Sequence, residues 1–112
     1  MERQIKAGQA VRQGDVLVER VRRRTLPKGT FVAPRQGRLI LAYGEATGHH
    51  HSVAVADGEM VETAAHEVFL QIMKTTDLQH QEHGSLRLDK GVYKVTIQQE
   101  YQPRELPRRV VD

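Results

Sequence analysis

The sequence predicts an all-β protein, a small antiparallel β-barrel or sandwich carrying at most one short helix. Three observations support this. Runs of about five to eight residues rich in Val, Ile, Leu and Thr recur at spacings near ten residues. Between them stand turn signals: Gly14-Asp15, Pro27-Lys28-Gly29, Gln36-Gly37, Asp57-Gly58 and Asp89-Lys90-Gly91. Only Glu62–Met73, where Ala65, Val68, Phe69, Ile72 and Met73 could form a stripe, offers a helical alternative.

Taken in order, residues 1–13 are polar and read as an arm or weak edge strand. Asp15–Val21, with the Gly14-Asp15 turn signal at its start, is the first strand. Thr30–Ala33 is a short strand that Pro34 ends or confines to an edge. Arg38–Tyr43 is too apolar to alternate and is expected to be buried on nearly both faces. A histidine-bearing strand follows, and Ala56-Asp57-Gly58-Glu59 predicts a hairpin turn after it. Val68–Met73 is read as strand because Lys74-Thr75-Thr76-Asp77 turns directly into Leu78. Ser85–Leu88 alternates, and Val92–Ile97 is the most β-prone run, with Tyr93, Val95 and Ile97 facing inward. Residues 103–112, with two prolines and three arginines, form an extended tail. No linker or repeat divides the 112 residues, which make one domain spanning 1–112. With aromatics at 4%, its core must be built from aliphatic side chains.

Charge is unevenly placed. Residues 1–40 carry ten Lys or Arg against three acids, whereas residues 41–83 carry one Lys against seven acids. All six histidines fall in that acidic window, between positions 49 and 83. An excess of carboxylate there favours a cation over a phosphate. Strand alternation from Gly48 puts His49, His51, Val53 and Val55 on one face, taken as the interior, and His50 and Ser52 on the other. Imidazoles at i and i+2 can share a divalent metal if a neighbouring strand adds ligands. His83, or less directly His80, would supply nitrogen, and Glu45, Glu59 or Glu82 an oxygen. Such donors suit zinc, iron, nickel or copper rather than calcium or magnesium, with affinity falling as acid protonates the imidazoles.

The HxH of His49 and His51 after a glycine turn, with a later histidine and Leu88-Asp89-Lys90-Gly91-Val92-Tyr93-Lys94-Val95, resembles the cupin pattern. Cupins are small β-barrels that hold a metal with histidines and a glutamate, so the resemblance implies a metal centre on His49 and His51. Where cupins carry the glutamate this chain has Val55 and Ala56. Tyr93 and Lys94 stand where a third histidine is expected, which leaves that role to His80 or His83. A more extensive resemblance is to short uncharacterised bacterial and phage proteins with the pattern GEATGHxH, HxEHG and GxYxVxxQxEY. Here it covers Gly44–His51, His80–Gly84 and Gly91–Tyr101; it implies no particular activity.

Other chemistry is excluded or unsupported. There is no cysteine, so no disulfide, thiolate ligand or thiol nucleophile. His51 and Ser52, adjacent on a strand, point to opposite faces and cannot act as a base–nucleophile pair. The Gly44-x-x-x-Gly48 spacing lacks the Lys-Ser or Lys-Thr of a phosphate loop. The basic run Arg20, Arg22, Arg23 and Arg24 is a candidate contact for nucleic acid or an acidic protein. With no membrane-length apolar run, no signal core and no cysteine, a cytoplasmic protein is expected, and exposed strand edges suggest a homo-oligomer. Two function classes result. One is a small metal-binding β-protein, its reaction and any enzymatic role undefined. The other is a non-catalytic binding or structural module, phage or bacterial, that docks a partner through its basic segments.

Overall fold

The computed structural model describes residues 5–43, 50–80, 84–97, 99–100 and 108–109. Its strands are β1 (Ala10–Gln13), β2 (Val16–Val21), β3 (Thr30–Phe31), β4 (Arg38–Tyr43), β5 (His50–Ala54), β6 (Gly58–Glu62), β7 (Val68–Ile72), β8 (Thr76–Leu78), β9 (Leu86–Leu88), β10 (Gly91–Ile97), β11 (Gln99–Glu100) and β12 (Arg108–Arg109). The main sheet has the order β1-β2-β10-β7-β6-β3, and every neighbour in it is antiparallel. The β-prone β10 occupies its interior. β4 pairs with β5, β8 with β9, and β11 with β12. A mutual pair of hydrogen bonds between Ser52 and Gln79 joins the β4–β5 pair to the end of β8.

Register assigns the faces. Val18, Val95, Val68 and Tyr93, Leu70, Met60 form cross-strand rows on one face. They share a single apolar cluster with Leu39, Leu41 and Ala42 of β4, Val53 of β5, Leu78 of β8, Leu88 of β9 and Ile5. The all-β expectation is met as a six-stranded antiparallel sheet that shares one core with shorter strand pairs. It is not a closed barrel: β1 and β3 are the edges of the main sheet. The helical alternative over Glu62–Met73 gives way to strand β7, as the sequence favoured.

Three local expectations are corrected. The Ala56–Glu59 stretch makes no hairpin. Val55–Asp57 is a single 3-10 turn that carries the chain from β5, paired with β4, to β6, paired with β7 and β3. Gly58 is extended there (φ −168°), so the positive φ of a tight hairpin turn is missing. Because β5 stops at Ala54, Val55 is exposed rather than inward. Val92 is buried although it lies on the face opposite the core. Its cross-strand neighbour Gln71 donates to the Arg24 carbonyl at 3.3 Å, so the β2–β3 connection passes over that face.

The apolar run in β4 has a specific explanation. The β4–β5 register slips between Ile40 and Ala42, which leaves Leu41 as the extra residue of a bulge. A bulge turns two successive side chains toward one side. Leu41 and Ala42 are accordingly both buried.

Candidate functional site

The site begins with a tight turn. Gln13 and Val16 are register partners, so only Gly14 and Asp15 join β1 to β2. Gly14 has φ +61° and Asp15 is not in the positive region, the signature of a type II′ hairpin turn. This turn holds Gln13 and Asp15 at the same end of the sheet, two residues apart.

β5 supplies His51. Ser52 pairs with Gln79 in an antiparallel bridge, so the next cross-strand pair outward is His51 with His80. The two rings stack, with centroids 4.0 Å apart and planes at 21°. Both are buried, His51 completely. Arg38 fixes the bridge from the other side: its Nε donates to Ser52 Oγ at 2.7 Å and its Nη2 to the Ser52 carbonyl at 3.1 Å. That accounts for a serine with no exposed surface on the non-core face of the strand.

Gln13 closes the group. Its Nε2 donates to the carbonyls of Leu78 (2.8 Å) and Gly84 (2.6 Å), and its Oε1 lies 2.8 Å from His51 Nδ1. Asp15 Oδ1 lies 3.6 Å from His51 Nε2, with its side chain 12% exposed. One imidazole is therefore held on an edge by a glutamine, on a face by a second imidazole, and beside a carboxylate at its far nitrogen.

Of the residues singled out in the sequence, His51 and His80 are brought together. His49, His83, Glu45 and Glu82 lie outside the described residues. His50 has the opposite parity to His51 and is half-buried. Glu59 is not part of the group: it pairs with Gln71 on the outer face of the main sheet and is exposed. Among the described residues, no three His, Asp or Glu side chains converge closely enough to hold an ion by themselves. Gln13 and Asp15 were missed in the sequence reading, where Gly14-Asp15 registered only as a turn. The one available signal was that this turn fixes which neighbours point inward.

The basic run is divided. Arg20 is used inside the fold, donating to the carbonyls of Ile5 (2.8 Å) and Lys90 (2.9 Å). Arg22, Arg23 and Arg24 are exposed on the β2–β3 connection. Two open surface clefts, of about 810 and 610 Å3, are lined by other residues, among them Arg23, Lys28 and Phe69 in the first and Leu41, Lys94 and Ile97 in the second. Neither is lined by Gln13, Asp15, His51 or His80; Gln13, His51 and His80 are buried inside the fold.

Fold and site together define a small antiparallel β-protein with a buried glutamine–histidine pair beside a partly exposed carboxylate. The chain belongs to the family described as a domain of unknown function, DUF8820, whose model matches residues 12–98 and so spans Gln13 through β10. Neither a curated protein nor a solved structure matches it. Among the described residues no helix is long and apolar enough to cross a membrane.

Proposed function

We propose that the protein binds a divalent transition-metal ion at the histidine group, with His51 as the central ligand. The observation that carries this is the Gln13–His51 hydrogen bond. A metal-ligating histidine is ordinarily held through its other ring nitrogen, and Gln13 holds Nδ1 in that way while Nε2 lies beside a carboxylate. His80 stacks on the ligand ring. His49 and His83 are proposed as additional nitrogen ligands and Glu45 or Glu82 as an oxygen donor. An imidazole-rich, thiolate-free set suits zinc, iron, nickel or copper. The cupin-like arrangement of histidine ligands and the kinship with bacterial and phage β-proteins are carried as parts of this proposal. Burial of the ring points to a structural or slowly exchanging ion more than to an open catalytic one, which needs a free position. Cytoplasmic placement, in keeping with the cysteine-free composition, belongs to the same proposal.

The test is metal analysis of tag-free protein, together with thermal stability of His51→Ala, His80→Ala and His50→Ala. Stoichiometric metal that is lost in the first variant and kept in the last supports the reading. No metal in the parent after incubation with zinc ends it.

A second reading has its own observation. Arg22, Arg23 and Arg24 stand exposed along one connection, and the edge strand β3 carries Phe31 at 65% exposure. A binding module that docks nucleic acid or an acidic partner through the arginines, and self-associates through the edge, would use these features.

A further inference from the structure

The chain has two phenylalanines, Phe31 and Phe69, and neither belongs to the apolar core cluster. They stand in one cross-strand row on the outer face of the main sheet, Phe31 opposite Val61 and Val61 opposite Phe69. Val61 is buried between them, Phe31 is exposed and Phe69 is half-buried. Two strand spacings, about 9.4–9.8 Å, separate the two backbones, so each ring can take a planar group of its own. Cations border the same face. Gln71, two residues beyond Phe69 and of the same parity, donates to the Arg24 carbonyl at 3.3 Å and so holds the β2–β3 connection over the sheet. Arg22, Arg23, Arg24 and Lys28 of that connection are exposed, and among the described residues none of them forms an ion pair. Arg23, Lys28 and Phe69 line the larger cleft, of about 810 Å3, together with Glu62 and Glu67. Glu67 is neutralised by Lys94 Nζ at 2.8 Å. Glu62, 3.1 Å from His66 Nδ1, leaves one carboxylate against the four cations. This mixture selects among anions. An acidic peptide has no planar faces to stack and would meet Glu62 as a like charge. A nucleic-acid strand offers phosphates to the cations, base faces to the rings and base amino groups to the carboxylate. A duplex keeps its base faces inside its own stack, which leaves the single strand.

We infer that the outer face of the main sheet binds single-stranded nucleic acid, with bases stacked on Phe31 and Phe69 and the phosphate backbone lying along the β2–β3 connection. This rests on the docking reading above, narrows its partner to one class, and gives Phe31 to the ligand in place of a second copy of the chain. It is independent of the histidine group, whose residues lie in neither the aromatic row nor the cleft.

The probe is a fluorescein-labelled DNA single strand of mixed sequence, about ten nucleotides long, titrated with full-length protein and followed by anisotropy. The matching duplex and an oligo-aspartate peptide serve as competitors. Phe31→Leu and Phe69→Leu keep an apolar side chain and remove the ring face. Each should weaken binding by about 5–150-fold, the loss expected of one stacked base, and leave the salt dependence unchanged. Lys28→Ala should instead make the salt slope shallower by about 0.7. Phe31→Trp places a tryptophan in a chain that has none, and its fluorescence should be quenched as the strand is added. Binding that both leucine variants leave intact, but that replacing Arg22, Arg23 and Arg24 abolishes, overturns the stacking surface and leaves the arginine docking reading standing. Duplex or oligo-aspartate competing as well as the single strand overturns the choice of partner. A Phe31→Leu variant that dissociates an oligomer without weakening binding overturns the role given to Phe31. No binding by the parent at low ionic strength overturns this inference together with the nucleic-acid arm of the docking reading. Circular dichroism and amide NMR of each variant separate loss of a contact from loss of the fold, and the exposed Phe31 supplies the variant in which the fold is least disturbed.

Discussion

The hydroxyl of Tyr93 donates a 2.7 Å hydrogen bond to the main-chain carbonyl of Asp89, across the turn that opens β10. Burial raises the phenol's pKa above its ordinary 10.0, with nearby Arg20 opposing and Asp89 reinforcing the rise. A raised folded-state pKa contributes stability that is complete below the unfolded value and is lost as pH climbs through the folded one. Stability should therefore decline above about pH 10. Tyrosinate absorbance from Tyr93 should emerge only together with unfolding. Tyr93→Phe should lose about 0.5–1.5 kcal/mol at neutral pH and flatten the alkaline decline. An early, fold-independent rise assigned to Tyr93 would refute this.

Gly58 faces Gln71 so closely that an added Cβ would sit 2.6 Å from the Gln71 carbonyl oxygen. That atom belongs to the β6–β7 ladder and cannot swing aside. Gly58→Ala should cost about 1–3 kcal/mol, measured by urea denaturation. A neutral result would mean that the strands pack more loosely than described.

Arg35 and Arg38 exchange backbone hydrogen bonds around Gln36 (φ +51°) and Gly37 (φ +75°), a type I′ turn. Glutamine is poorly suited to that region, whereas asparagine enters it readily. Gln36→Asn should raise stability by about 0.5–1 kcal/mol. Destabilisation would count against this turn geometry.

The docking-module reading makes a salt prediction. Binding of single-stranded RNA at low ionic strength should weaken steeply as salt rises, and replacing Arg22, Arg23 and Arg24 by alanine should reduce the slope by up to about two to three. Binding indifferent to the triple replacement would retire the arginines as contacts. Arg20→Ala should act differently, lowering stability through the Ile5 and Lys90 carbonyls it leaves without its donors.

Much of the fold was legible because it rests on alternation. β2, β7 and β10 carry their inward residues at period two, and parity alone placed His51 inward and His50 outward. The expected hairpin at Ala56–Glu59 failed because turn composition is local while strand pairing is not. An Asp-Gly pair marks a change of direction without saying which strand the chain joins next. The bulge at Leu41 was hidden for a related reason, since an unbroken apolar run reads the same with or without a slipped register. In the site, histidines stood out as scarce and clustered. Gln13 and Asp15 did not, because glutamine and aspartate are ordinary surface residues and nothing in a linear reading ties position 13 to position 51.

Gln13 reaches His51, Leu78 and Gly84 across 38, 65 and 71 residues of chain. Contacts of such span need both ends of the chain brought together, as does the β2–β10 pairing in which Val18 meets Val95. The amide of a strand near the beginning of the sequence thus waits for segments near its end before its hydrogen bonds exist. A nascent chain stopped before Leu78 offers Gln13 neither carbonyl, and the His51 ring has not yet met His80.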